Sequence, residues 1–186
     1  MEQAKKYLPY LTMILAALTI VFLALPCYKV DMNYGLAGVE VSANGFALIF
    51  GGKAKGEVWS DGEYESLGGK AFELSVGNLF AFICIILAIV VFAAAMKENN
   101  LILTGFSGVL FIVAAILFFC MLENCKFYEA GGFDDLLRDV AELGIGAILA
   151  GVASILAGIT AFAQALIISK DQKSGQTTDQ TTNPTI

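Results

Sequence analysis

The chain of 186 residues contains no histidine, and only 15% of its residues are charged. It also lacks a Gly-x-Ser-x-Gly sequence, a Gly-x-x-x-x-Gly-Lys-Ser/Thr loop and a Cys-x-x-Cys pair. These absences remove the usual sequence signatures of Ser–His hydrolases, of P-loop nucleotide-binding proteins and of small zinc or redox sites. We therefore expect a protein that is not an enzyme and that needs no cofactor and no metal.

Charge is missing altogether from four long stretches, residues 8–26, 79–96, 101–122 and 144–168. The chain is 58% apolar, and its mean hydropathy is +0.75. A hydrocarbon core about 30 Å thick is crossed by about 20 apolar residues in an α-helix. The sequence therefore predicts an all-α membrane protein, a four-transmembrane-helix bundle with a small extracellular segment that contains β-strands.

The first stretch has a second interpretation, a cleaved signal peptide. Lys5 and Lys6 would form its charged start, and the sequence ALPC at 24–27 is similar to a lipoprotein cleavage box. The position before the cysteine needs a small residue, however, and Pro26 occupies it. The apolar stretch is also longer than the usual core of about 7–15 residues in a signal peptide. We interpret this stretch as a retained helix.

Lysine is distributed unevenly along this arrangement. Residues 1–7, 97–100 and 169–186 hold five basic residues in 29 positions, whereas 27–75 and 122–143 hold six in 71. Cytoplasmic segments carry the excess of Lys and Arg in membrane proteins. The sequence therefore predicts a multi-pass protein of the cell membrane with both termini in the cytoplasm.

The predicted organisation follows from these boundaries. A tail rich in Thr, Gln, Ser and Asn has too little apolar surface to fold, so we expect it to be disordered. In chain order the parts are the N-terminus with helix 1 (1–26), extracellular segment 1 (27–75), helix 2 (76–96), a cytoplasmic turn (97–100), helix 3 (101–122), extracellular segment 2 (123–143), helix 4 (144–168) and the cytoplasmic tail (169–186).

Extracellular segment 1 has the pattern of short strands. Residues 39–42 alternate apolar and polar side chains, and residues 29–32 and 57–59 do so more weakly. Gly-Gly pairs at 51–52 and 68–69, together with Asp61-Gly62, favour turns. The apolar stretch 45–51 is too short to span a membrane, and periodicity leaves open whether it is a buried strand or one or two helical turns.

Extracellular segment 2 contains an amphipathic pattern over residues 133–143. Its apolar positions 133, 136, 137, 140 and 143 share one face of a helix, and acidic residues occupy the other. We expect a helix here that lies on the strands or on the membrane surface.

Helix 4 carries small residues at every fourth position. Such residues allow helix backbones to approach closely where lipid provides no hydrophobic drive to associate. The row packs either against the other helices of the same chain or against a partner protein or a second copy, and a parallel alanine row leaves room for both. The candidate packing residues are Gly146, Ala150, Ser154 and Gly158, and the parallel row is Ala153, Ala157, Ala161 and Ala165.

The four cysteines are Cys27, Cys84, Cys120 and Cys125. In the predicted topology Cys27 and Cys125 both lie just outside the membrane, where an oxidising environment permits a disulfide. We predict that these two form a bond that joins the extracellular segments; a Cys120–Cys125 bond and unpaired thiols are the alternatives. Cys84 falls within helix 2, where we expect it only to pack.

Two further functions have weaker signals. Acidic residues of the extracellular segments could bind a divalent cation, but none has the spacing of a known calcium loop, and a solvated acidic surface explains them equally well. A pump or carrier usually needs charged groups or broken helices at mid-membrane, and the four apolar stretches contain no Asp, Glu, Lys, Arg or His. The acidic residues are Glu57, Asp61, Glu63, Glu65, Asp134, Asp135, Asp139 and Glu142.

This layout of four helices, with both termini inside, a large first outer segment and a shorter second one, resembles the claudin-type four-span plan. Members of that group carry a Trp-Gly-Leu-Trp sequence and a cysteine pair in the first outer segment. Here that segment has only Trp59, with Cys27 at its edge. The resemblance therefore implies an architecture and no barrier-forming role. Residues 25–52 are also similar to uncharacterised small membrane proteins of Gram-positive bacteria, which implies no activity.

The features together favour a non-enzymatic structural or accessory subunit of the membrane. We expect it to present a small extracellular platform and to pack with partners through helix 4. Its expected partners are the lipid bilayer and either another membrane protein or further copies of the same chain, and no nucleic acid. An oligomeric channel or a small transporter component is the alternative.

Overall fold

The computed structural model describes residues 2–33, 37–60, 63–67, 70–127 and 139–179, and most of these residues are helical. Three of the helices are long and apolar enough to cross a membrane, over Val76–Glu98, Leu101–Phe119 and Ile145–Gln172. The first helix has a shorter apolar stretch, Lys6–Phe22. The described helices are α1 (Glu2–Phe22), α2 (Gly45–Phe50), α3 (Val76–Glu98), α4 (Leu101–Phe119) and α5 (Ile145–Asp179).

The described strands form a five-stranded antiparallel sheet, in the order β5-β4-β2-β1-β7, and a two-stranded sheet of β3 and β6. The first sheet joins the two segments that were predicted to lie outside the membrane, because β7 follows α4 in the chain and pairs with β1. The strands are β1 (Pro26–Asn33), β2 (Ala37–Asn44), β3 (Gly51–Lys53), β4 (Lys55–Ser60), β5 (Glu63–Leu67), β6 (Lys70–Leu74) and β7 (Glu142–Leu143).

The apolar stretch 45–51, for which the sequence leaves two conformations open, folds as the short helix α2. The side chain of Asn44 caps its first turn by accepting a hydrogen bond from the Ala47 N–H at 2.9 Å. Gly51 ends the helix with a φ of +78°, and a Cβ there would lie 3.0 Å from backbone atoms of the neighbouring strand β6. A residue with a side chain would be strained at this turn.

Two predicted elements differ in the structure. The end of the amphipathic stretch 133–143 is strand β7 rather than helix, because β1 offers backbone groups that pair with Glu142 and Leu143. The helical backbone of α5 continues to Asp179, through most of the tail that the sequence predicts to be disordered, since no proline interrupts it before Pro184. The rest of the amphipathic stretch up to residue 138, the turns at 61–62 and 68–69, and residues 180–186 lie outside the described residues.

Helix α5 is the centre of the bundle. It packs along α1 on one side and along α4 on the other, and α3 packs on α4, whereas α1 and α3 barely touch. A two-residue turn joins α3 to α4, in which Asn99 adopts a left-handed conformation (φ 49°). The side chain of Asn100 caps α4 by accepting from the N–H groups of Ile102 and Leu103. Consecutive long helices therefore run antiparallel.

The bundle buries several hydroxyl side chains and exposes many large apolar side chains, although Phe92, Phe111 and Phe118 are fully buried. The hydroxyl-bearing residues of the helices that are at most 1% exposed are Thr12, Thr19, Thr104, Ser107 and Ser154. Those apolar residues of the helices that are more than half exposed include Ile14, Val21, Phe80, Val90, Ile102, Ile116, Ile159 and Leu166. Large apolar side chains are thus exposed on every long helix, whereas water-soluble monomers rarely expose apolar patches of more than a few hundred Å².

Candidate functional site at the junction of the helices and the sheets

Four helix ends meet the sheets at one end of the bundle, and backbone hydrogen bonds connect them. The Gly45 N–H donates to the carbonyl of Leu23 at 2.8 Å, which joins the start of α2 to the end of α1. The Gly144 N–H donates to the carbonyl of Cys27 at 2.9 Å, which joins the start of α5 to β1. The ends of the helices thus fix where the strands lie.

Asn78 is the most highly connected polar side chain of this junction. It is fully buried in the first turn of α3, and its Nδ2 donates to the carbonyls of Leu48 and Met121, both at 3.2 Å. Its own backbone N–H donates to the Oγ of Ser75, which caps the helix. The Ser75 hydroxyl in turn donates to the carbonyl of Asn124. Asn78 and Ser75 therefore join α2, α3 and the segment that follows α4.

The Oδ1 of Asn78 receives no hydrogen bond from the described residues. A buried amide oxygen without a donor is costly, so an ordered water is the simplest partner for it. No local sequence pattern predicts that Asn78 is a connecting residue. The sequence does contain one relevant signal. Ser75 lies three residues before Asn78 and just ahead of the uncharged stretch, and a serine in this position is typical of the start of a helix.

The two cysteines of the predicted disulfide lie in the same layer. Cys27 is fully buried, and Cys125 is 1% exposed. Burial raises the pKa of the Cys27 thiol to about 12, despite a hydrogen bond from the Gly45 backbone that lowers it, and a charge on Cys125 would raise it further. The Sγ of Cys125 lies 3.3 Å from the Met121 carbonyl and 3.9 Å from Asn78 Nδ2. The bond itself stays a prediction.

An aromatic cluster lies between the two sheets beside these thiols. The ring of Tyr28 meets Phe72 edge to face at a centroid distance of 5.1 Å and Phe127 at 6.0 Å. Phe72 and Phe127 also form an isolated backbone bridge. Burial raises the pKa of Tyr28 to about 12, with a further contribution from charge on Cys125. The cluster is a dry apolar layer that packs the sheets onto the bundle.

All four small residues predicted for helix packing are buried within the chain. A Cβ on Gly146 would lie 2.7 Å from the carbonyl oxygen of Phe22, so this glycine is where α5 crosses the end of α1. A Cβ on Gly158 would lie 2.8 Å from the side chain of Ile112 on α4. Ser154 donates a hydrogen bond to the Phe111 carbonyl of α4 at 2.8 Å, and Ala150 is fully buried.

Polar bonds also connect α5 to both of its neighbours. In addition to the Ser154 bond to α4, the hydroxyl of Thr12 on α1 lies 2.8 Å from that of Thr160 on α5. Hydrogen bonds between helices in lipid contribute about 0.6–2 kcal/mol each. The small-residue rows and these hydroxyls therefore act together in holding α1, α5 and α4 side by side.

The outward face of the five-stranded sheet carries charged side chains in two rows. Strand register places Asp31 opposite Glu40, and Glu40 opposite Glu57. The next row places Lys29 and Lys55 on either side of Ser42. The opposite face of the sheet is buried, as Val30 (2% exposed) and Tyr28 (3%) show.

Lys29 is the centre of the ion pairs on this face. Its Nζ lies 3.2 Å from Asp31 and 3.9 Å from Glu40. The hydrogen bond to Asp31, followed by the charges of Asp31, Glu40 and Glu142, raises the pKa of Lys29. The described residues hold no group of three or more Cys, Asp or Glu side chains arranged to bind a metal ion.

The arrangement as a whole is a packed junction with a charged outer surface. No family model matches the chain, and no curated protein matches it with significant similarity. The function is therefore inferred from the residues described above.

We predict that Asn78→Ala lowers the free energy of unfolding by about 2–4 kcal/mol, because the carbonyls of Leu48 and Met121 lose their buried donor. Unfolding of the purified protein in detergent measures this change. The control is Ser107→Ala, which removes a fully buried hydroxyl that bonds only to Thr104 of its own helix. Equal losses in the two variants would show that Asn78 has no role in joining the elements.

Gly146→Ala should lower the free energy of unfolding by about 1–3 kcal/mol, because the added methyl group meets backbone atoms of α1 that cannot move away without separating the helices. Gly105→Ala is the matched control, since a Cβ at Gly105 has no atom within 4 Å. It should be neutral or stabilising by up to about 1 kcal/mol. Thermal unfolding in the same detergent compares both variants, and a stable Gly146→Ala protein would contradict the close crossing.

In the reduced protein, stability should fall in alkaline solution. The folded-state pKa of Cys27 is raised from 9.0 to about 12, so the stability that its proton provides is complete below pH 9 and is lost as the pH rises toward 12. The expected slope is about 1.4 kcal/mol per pH unit above pH 9, and it steepens above pH 10, where Tyr28 begins to contribute.

Chemical unfolding at a series of pH values, with reductant present, measures that slope. Cys27→Ala should make the free energy of unfolding nearly independent of pH between pH 9 and 10. A disulfide has no proton to lose, so the same independence of pH in wild-type protein prepared without reductant is the expected sign of the Cys27–Cys125 bond. Equal slopes for protein kept in reductant and for protein prepared without any reductant would count against the bond.

Proposed function

We propose that this chain is a non-enzymatic, four-span protein of the cell membrane that acts as a structural or accessory subunit and presents the five-stranded sheet outside the cell. In this proposal α1 is the fourth span. Its apolar part, Lys6–Phe22, is about 25 Å long, and the turn at 23–25 extends the apolar segment. A span of this length fits a membrane with modest local adjustment.

The large exposed apolar surface of the bundle, together with its buried hydroxyls, is the observation that carries the proposal. Buried hydroxyls inside and exposed Ile, Leu, Val and Phe outside fit a lipid environment, in which helices associate through small and polar residues. Helix α1 shares this pattern: Ile14 and Val21 are more than half exposed, whereas Thr12 and Thr19 are fully buried. Its outward face therefore matches those of the three longer helices.

The positions of the helix ends support the predicted orientation. The start of α1, the α3–α4 turn and the late part of α5 come together at the end of the bundle away from the sheets, where Leu8, Asn99 and Gln164 line one small cavity. These same parts of the chain hold the denser lysines. By the positive-inside rule, this end is cytoplasmic and the sheets are extracellular.

The charged outer face of the sheet is the surface that we propose to meet a partner. The small residues of α5 contact α1 and α4, so they do not form an open seam for another protein. A partner that approaches α5 in the membrane would instead meet its lipid-facing row, which includes Ile148, Val152, Leu156 and Ile159. The sheet, with its rows of acids and lysines, offers a more selective surface.

The claudin-type plan remains a resemblance of architecture. The five-stranded sheet is built mainly from the first outer segment and is completed by one strand from the second. The chain lacks the Trp-Gly-Leu-Trp sequence, and we propose no barrier-forming role.

Thiol labelling of intact cells tests the topology. A cysteine at Ser60 should react with a membrane-impermeant reagent, and one at Ser174 should react only after the cells are permeabilised. The wild-type chain is the control for its native cysteines, of which Cys27, Cys84 and Cys125 are buried. The opposite labelling pattern would invert the orientation, and release of the protein from membranes by alkaline carbonate would end the proposal.

A flux measurement separates the structural role from a channel. The purified protein in liposomes should conduct no ions or small solutes, because the interior of one subunit is packed with Phe92, Phe111 and Phe118, all fully buried. Assembly size in detergent, measured alongside, identifies any ring that a channel would need. A stable ring with reproducible flux would replace the proposed role by that of an oligomeric channel.

A further inference from the structure

We propose that a cavity of about 220 Å³ beside the end of α1 binds the phosphate of an anionic phospholipid in the outer leaflet. Lys53 and Lys55 line this cavity together with Ser42, Ala24 and Pro26. The inference rests on the membrane orientation proposed above. The proposed site would give the extracellular part of the protein a specific lipid ligand.

Both lysines lie where the chain passes from one sheet to the other. Lys53 ends β3 and Lys55 begins β4, and both are exposed and line the cavity, whereas the side chain of Ala54 between them packs against the core. Register adds a hydroxyl beside them, because Ser42 of β2 is directly opposite Lys55 of β4. Lys70 of β6 is opposite Lys53 of β3 in the backbone register of the small sheet.

Lys53 and Lys55 differ from Lys29 in their ion pairs. Lys29 forms ion pairs with Asp31 and Glu40, but within the described part of the chain neither Lys53 nor Lys55 forms an ion pair. A neighbouring cleft that contains Glu40 and Glu57 shares Ser42 and Lys55 with this cavity and does not include Lys53. Positive charge therefore collects at one corner of a segment that is acidic overall, which favours an anionic ligand.

The position of the cavity favours a lipid as the source of that anion. Ala24 belongs to the short connection from α1 to β1, and Pro26 is the first residue of β1, so the cavity lies where the apolar bundle ends and the polar sheet begins. Just below it, Leu25 is 39% exposed and Val21 is 60% exposed. A phospholipid could place its phosphate between the lysines while its acyl chains follow the apolar face of α1.

Lipid binding by the full-length protein in detergent micelles tests the proposal. Native mass spectrometry can follow the bound fraction as phosphatidylglycerol is added, with phosphatidylcholine in a parallel titration. We expect tighter binding of phosphatidylglycerol, and binding that is about 10- to 30-fold weaker in Lys53→Gln/Lys55→Gln, since each lysine near a membrane surface contributes a factor of about five. The matched control, Lys97→Gln/Lys126→Gln, removes two exposed lysines that lie elsewhere and should bind like wild type.

Three outcomes would overturn the lipid site. If wild type and the Lys53/Lys55 variant bind phosphatidylglycerol equally well, these lysines are not the ligands. If the control variant loses as much binding as the Lys53/Lys55 variant, the effect is due to net charge and not to a specific site. Displacement of phosphatidylglycerol by inorganic phosphate at a similar concentration would show a site for free phosphate rather than for lipid. Carbonate-resistant membrane association of the same variants shows separately whether the proposed membrane role still stands.

Discussion

The close contact of α5 with both α1 and α4 is the constraint on which the rest of the structure depends. At Gly146 the backbones of α5 and α1 leave no space for a side chain, and at Gly158 the side chain of Ile112 fills the gap to α4. Many large apolar residues of the helices face outward, and packing inside the bundle combines small residues and a few hydroxyls with the buried rings of Phe92, Phe111 and Phe118. This close approach brings four helix ends together at one end of the molecule.

The sheets depend on that convergence. Strands β1 and β7 belong to different segments of the chain, and they meet because the end of α1 and the start of α5 are adjacent. Asn78 fixes the relative positions of the elements at the junction. Its buried amide can donate to the carbonyls of Leu48 and Met121 only when α2, α3 and the end of α4 are in place together. The result is a rigid support for the charged outer face and for the lysine corner at its edge.

Several elements of the fold were predictable from local pattern. The alternating stretch 39–42 lies within β2, and three uncharged stretches correspond to helices of membrane-spanning length. Other features needed contacts that local pattern does not contain. Residues 142–143 look like the end of an amphipathic helix, but they pair with β1, and strand partners are set by tertiary structure. Asn78 went unpredicted because its acceptors are 30 and 43 residues away along the chain.

The sequence by itself determined the apolar character of the long helices, because an uncharged stretch of sufficient length specifies a helix suited to lipid whatever its neighbours are. It also determined that polar side chains within those helices would be few. Only the tertiary structure decided which small residues face which helix, that α2 is a helix, and that Lys53 and Lys55 share a cavity while Lys29 is paired with acids. These features depend on atoms from distant parts of the chain meeting within a few ångströms, and no local spacing specifies such meetings.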